Sequence, residues 1–135
     1  MKLDNRGLTL VEILIAMFVF TLALAALLSS IVAVLYLIDL SKDFTVAYSD
    51  IRNMMEDIRT TPFANMLSLF PDGLVDGPVS NRYSDLVGGY LLGNEHITVT
   101  YADVTSDPLE VKVILTWQDK HARTQTASAS TFKAR

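Results

Sequence analysis

Few side chains in this 135-residue chain have types and spacings that could do chemistry. The clearest is a lone carboxylate, Glu12, which stands five residues past Gly7 at the mouth of the apolar run "ILIAMFVFTLALAALLSSIVAVLYLI". An ionisable group beside hydrocarbon costs roughly 2.5 to 3.5 kcal/mol even on lenient insertion scales, so it calls for a partner or a function. His96 and His121 are the next candidates, but there is no cysteine and no HxxH or HExxH spacing, so both read as surface histidines and not as metal ligands or bases. Asp72, Asp76 and Asp85 offer oxygens to a calcium ion, yet their spacing is not that of an EF-hand loop and they read as solvated turn acids. Serine and aspartate are scattered without a nucleophile elbow or a P-loop. The sequence therefore predicts no enzyme, no metal and no cofactor.

The element that must position Glu12 is the apolar run itself. Ile13 to Ile38 carries no charge, and its only polar side chains are Thr21, Ser29, Ser30 and Tyr36, which fits the ~20 residues a helix needs to cross a bilayer. A cleaved secretory signal would have an apolar region of about 7 to 15 residues ending in a small-residue cleavage site, and this run is much longer. Lys2 and Arg6 precede the span and, by the positive-inside tendency, hold that end in the cytoplasm, which leaves the body after Leu40 outside. Without cysteine, that body cannot rest on disulfides. With 11 basic and 15 acidic residues the net charge is -4, a poor basis for holding phosphates, so no nucleic-acid partner is expected.

Beyond the span, Phe44, Ala47, Tyr48, Ile51, Met54, Met55 and Ile58 recur at steps of three and four. That is a helical stripe that needs a cover, with Met54 and Met55 as packing residues and not metal ligands. No glycine or proline lies between Gly7 and Pro62, so one helix of about 50 residues, some 75 Å long, is expected. Phe63, Met66, Leu67 and Phe70 repeat the helical spacing briefly, and "PDGLVDGPVSNRYSD" then brings turn chemistry at a density that reads as an irregular connection. "EHITVTYADV" and "LEVKVILTWQD" alternate like strands, and a weaker third strand runs near Thr124 to Phe132, giving an antiparallel meander. The expected organisation is a leader at 1–7, a transmembrane helix at 8–38, its amphipathic continuation at 39–61, a connecting region at 62–94 and a sheet at 95–135. The fold class is α+β, a long N-terminal helix packed on a small antiparallel sheet.

The stretch "GLTLVE", Gly7, Leu8, Thr9, Leu10, Val11 and Glu12, resembles the processing signal of type IV pilins and pseudopilins, with Leu8 in place of the commoner Phe and a seven-residue basic leader "MKLDNRG". The resemblance implies a pilin-like fold. It also implies cleavage after Gly7 by a prepilin peptidase on the cytoplasmic face, methylation of the new Leu8 amine, and pairing of Glu12 with the amino terminus of a neighbouring subunit in a filament. The C-terminal "DPLEVKVILTWQDKHARTQTASASTFKA" is similar to the end of V-type minor pilins and I-type minor pseudopilins of type II secretion; Trp117, Asp119 and Arg123 match that pattern, while Ala122 stands where a turn glycine is more usual. The implied partners are the prepilin peptidase, other pilins or pseudopilins, the assembly platform of the bacterial inner membrane, and lipid. The implied place is a single-pass position in that membrane with the C-terminal domain in the periplasm or outside.

Other readings of the same residues stay open. Thr9 and Glu12 fit a capping box, T-x-x-E, at the start of an ordinary signal anchor that presents a binding or adhesion domain and never polymerises. A competence-type DNA-uptake pilin would need a basic tip, and no such cluster is present in the loop or the strands. The glutamate argues against the K-type tip pseudopilin, which in that family lacks it.

Overall fold

The computed structural model describes residues 9–88 and 92–134. Its elements are α1 (Leu10–Thr60), a short 3-10 turn (Phe63–Asn65), α2 (Met66–Leu69), α3 (Tyr83–Val87), β1 (His96–Tyr101), β2 (Leu109–Gln118) and β3 (Thr124–Lys133). The chain divides into two compact units, one ending at Asp39 and the other beginning at Leu40. The leader expected at 1–7 lies outside the described residues.

In the first unit, α1 is apolar on every side and its large side chains are exposed, Leu10, Phe18, Phe20 and Val32 among them. This is the only described helix long and apolar enough to cross a membrane. Three of its polar side chains are turned back on the helix: Thr21 donates to the Met17 carbonyl, Ser29 to that of Ala25 and Ser30 to that of Ala26. Such i to i−4 bonds satisfy hydroxyls where lipid offers no partner.

The second unit owes its core to two matching periods. On α1, Ala47, Ile51, Met54 and Ile58 fall on one face and are buried. On the sheet, ordered β1-β2-β3 and antiparallel throughout, the alternation of β2 buries Leu109, Val111, Val113, Leu115 and Trp117, and that of β1 buries Ile97, Val99 and Tyr101. These faces close on each other as one cluster, with Phe44 meeting Trp117 edge to face at 5.0 Å between ring centroids. The long helix is thus packed against a small antiparallel sheet, the α+β arrangement expected from the sequence.

The end of the chain ties the end of the helix. Lys133 donates to the carbonyls of Ile58, Arg59 and Thr61. The last carbonyls of a helix have no partner of their own and carry the negative end of its dipole, so an ammonium there both bonds and neutralises. Pro62 follows directly, which is where the sequence places the helix end.

The stretch read from sequence as an irregular connection contains α3, a helix of one turn and a half that buries Tyr83 and Val87. Tyr83 stacks on Phe70 at 5.8 Å, and Gly77 lies so close to the Tyr83 ring that a side chain there would collide with it. Asn81 donates to the Leu69 carbonyl and Asn53 to that of Val87, which pin this connection to α2 and α1.

Candidate processing and assembly site

Thr9 and Glu12 meet at the start of α1. The Glu12 carboxylate accepts the Thr9 backbone N-H at 2.8 Å and the Thr9 hydroxyl at 3.0 Å, while the Thr9 hydroxyl accepts the Glu12 N-H at 3.3 Å. The Thr9 carbonyl takes the first helical bond, from Ile13. This is a reciprocal capping box, and it satisfies donors that a helix start otherwise leaves orphaned. On its other side Glu12 borders a shallow, largely apolar cleft with Ile13, Ala16, Met17 and Phe20. Of the six signal residues, Thr9, Leu10, Val11 and Glu12 are placed in this way; Gly7 and Leu8 lie outside the described residues.

The remaining sequence candidates are held by the fold. Asp72 and Asp76 do not gather with Asp85: Asp72 accepts the Tyr101 N-H at 3.1 Å, Asp76 accepts the Ile97 N-H at 3.0 Å and faces His96 Nδ1 at 2.8 Å, and Asp85 sits in the first turn of α3. Asp72 and Asp76 are therefore bonded to β1, a correction to their reading as solvated turn acids. Among the described residues no group of three His, Asp or Glu side chains is placed to hold a metal.

The turn between β2 and β3 is organised by Asp119. It is buried, which opposes ionisation, but the N-H groups of Arg123 and His121 and the Gln125 amide bond its carboxylate and hold it below the usual aspartate range. The Arg123 guanidinium adds contacts at 2.9 Å. Ala122 adopts φ 57°, the left-handed conformation a glycine would take without strain, so the turn geometry is kept although the residue differs.

One group went unremarked in the sequence. Asp50 lies within the helical stripe, is only 3% exposed, and its Oδ2 has no hydrogen-bond partner. Burial, with the like charge of Glu95 as the smaller cause, pushes its carboxyl up to about 6. Glu95 is itself raised, by burial above all, although it accepts the Leu92 N-H. A carboxyl raised in the folded state favours folding while protonated: its contribution is intact below the unfolded value of 3.8 and is lost as pH climbs toward 6. Asp50→Asn is accordingly expected to stabilise the protein at pH 7.5 by about 1 to 2 kcal/mol and to leave it little changed at pH 4. Thermal melts of the full chain in detergent at the two pH values check this; equal shifts at both would contradict it.

A helix long and apolar enough to cross a membrane thus starts in a capping box on Thr9 and Glu12 and runs on into a small α+β unit. Residues 2–28 match the family model described as the prokaryotic N-terminal methylation motif, the signal found in type IV pilins. No curated protein and no solved structure matches the chain.

Proposed function

We propose that this chain is a minor type IV pilin or a minor pseudopilin of type II secretion, a subunit that waits in the bacterial inner membrane and is drawn into a short filament. The observation that carries the reading is the methylation motif at residues 2–28, within which Glu12 heads the apolar helix. In this reading a prepilin peptidase cuts after Gly7 and methylates the Leu8 amine. The chain is the substrate of that enzyme and catalyses nothing itself. The helix holds the subunit in the bilayer, and the domain beyond Leu40 stands on the periplasmic side.

Cleavage would create a positive charge at Leu8 beside the carboxylate of Glu12, and the two would suit each other in an apolar setting. Buried ion pairs are uncertain sources of net stability but good at fixing register, which is what a helical filament asks of its subunits. The capping bonds from Thr9 both go to one oxygen, Oε2; among the described residues nothing bonds Oε1, which would be the oxygen to accept an amine.

The same capping box gives the rival reading its one specific support, a signal anchor whose glutamate only caps the helix. Glu12→Ala and Glu12→Gln separate the two. Both variants are expected to insert and to lose the leader normally, because neither change touches Gly7, and to enter filaments at levels reduced roughly tenfold or more, a loss equivalent to about 1.4 kcal/mol. Wild-type incorporation of both variants would leave Glu12 as a cap alone.

A further inference from the structure

The course of β2 along α1 sets which end of the sheet lies nearest the membrane-spanning stretch. Lys133, which pairs with Leu109, bonds the carbonyls of Ile58, Arg59 and Thr61 at the far end of α1, while Trp117 toward the other end of β2 meets Phe44. Strand β2 therefore runs back along α1 toward Leu40. Phe44 stands four residues past Leu40, about 6 Å at the helical rise, and Lys120 stands three residues past Trp117, about 10 Å at the strand rise. The β2–β3 turn thus reaches the level at which the chain enters this unit. The apolar run ends at Ile38, two residues before Leu40, so chain continuity tethers that end of the unit at the membrane surface.

The turn presents bases outward. Lys120 and His121 are exposed, and Arg123 keeps 54% of its side chain in solvent although it bonds Asp119. Lys42, exposed on α1, lies at the same end. The acids there are withdrawn: Asp50 and Asp119 are buried, and Asp39, Asp43 and Glu95 are half-buried. At the opposite end of β2 the character is reversed, since the β1–β2 connection carries exposed Asp103 and Asp107 and no base. In a chain of net charge -4, the exposed charge at the Leu40 end is thus basic.

We propose that the β2–β3 turn rests on the anionic lipid surface of the bilayer that anchors α1, with Lys120 and Arg123, joined by Lys42, facing the lipid phosphates. This rests on reading α1 as a membrane anchor, and on no other part of the proposed function. Held at the level of Leu40, the turn falls within the ~8 to 10 Å over which a lipid charge acts in physiological salt. The tether supplies proximity, so no single contact need be strong. Asp119 shapes the loop that makes the contact: its carboxylate accepts the N-H groups of His121 and Arg123, which keeps the exposed side chains together on one compact turn.

The test uses the full chain, which has no cysteine of its own, reconstituted into vesicles of phosphatidylcholine alone or with about one-third phosphatidylglycerol. Ala122→Cys in the turn, or Val104→Cys in the β1–β2 connection, carries a fluorescent dye, and a lipid spin-labelled on its headgroup quenches it; both positions are exposed. Carbonate-resistant flotation comes first. A chain that does not float with the vesicles overturns both the anchor and this proposal, whereas every later outcome concerns the turn alone. In vesicles with phosphatidylglycerol the dye at position 122 is expected to be quenched roughly threefold or more strongly than the dye at 104, and this difference should shrink by roughly twofold or more in phosphatidylcholine alone or with Lys120→Glu. The proposal is overturned by equal quenching at the two positions, or by quenching at 122 that ignores phosphatidylglycerol, and neither comparison needs the charge variant to fold. A Lys120→Glu chain that is folded by circular dichroism and quenched like the unchanged one also overturns it. Self-quenching at 122 that rises with protein density, without quenching by lipid, would place another copy of the chain there and overturns it as well.

Discussion

Trp117→Ala is expected to cost the Leu40–Arg135 unit about 3 to 5 kcal/mol, most or all of the stability such a unit has. Trp117 is the largest of the fully enclosed side chains among the described residues, 1% exposed, near the C-terminal end of β2 and in edge-to-face contact with Phe44 of α1. Removing it takes away both the apolar area and the ring pair, and a sheet of three strands has little means of closing the void. The indole also buries an Nε1-H without a partner. Trp117→Phe removes that unpaired donor along with some volume, so its cost should be smaller, below about 2 kcal/mol. Urea titrations of the full chain in detergent, followed by circular dichroism, measure both. A Trp117→Ala protein with an unchanged midpoint would mean that α1 and the sheet do not share a core.

The second large effect concerns the leader. Gly7→Val is expected to leave the seven-residue leader in place in essentially all molecules, with no methyl group and no entry into filaments. A glycine lets another backbone approach without a side chain between them, and a β-branched residue beside the scissile bond removes that access. Membrane insertion should be unaffected, because the apolar run is unchanged. Glu12→Ala is expected to be the mirror case, processed normally but poorly incorporated, so the two variants divide maturation from polymerisation.

Much of this was legible from period alone. The alternation in "EVKVILTW" named the buried face of β2 residue by residue, and the three-and-four spacing from Phe44 to Ile58 named α1's covered side. The stripe was misread at one point: Tyr48 is exposed, and Asp50, one position past Ser49, is buried in the face the stripe defines. A charged residue is discounted when apolar periods are counted, so nothing in the pattern pointed to it. The α3 helix was hidden for a different reason. Its five residues sit among Pro, Gly, Asn and Ser, and what makes it helical is tertiary, the packing of Tyr83 on Phe70. The contacts of Lys133 with the end of α1 and those of Asp72 and Asp76 with β1 join residues far apart in the chain, which local spacing cannot report. At the amino terminus the capping box was legible in the T-x-x-E spacing of Thr9 and Glu12, and its hydrogen bonds are formed, whereas the pairing of Glu12 with an amine came from the resemblance alone.

The most direct measurement is the intact mass of the protein extracted from membranes of cells that have an active prepilin peptidase. The expected result is a chain that begins at Leu8 and carries a single added methyl group. A chain that retains Met1, or one that begins near Ala25 or Ala26 after ordinary signal cleavage, would contradict it.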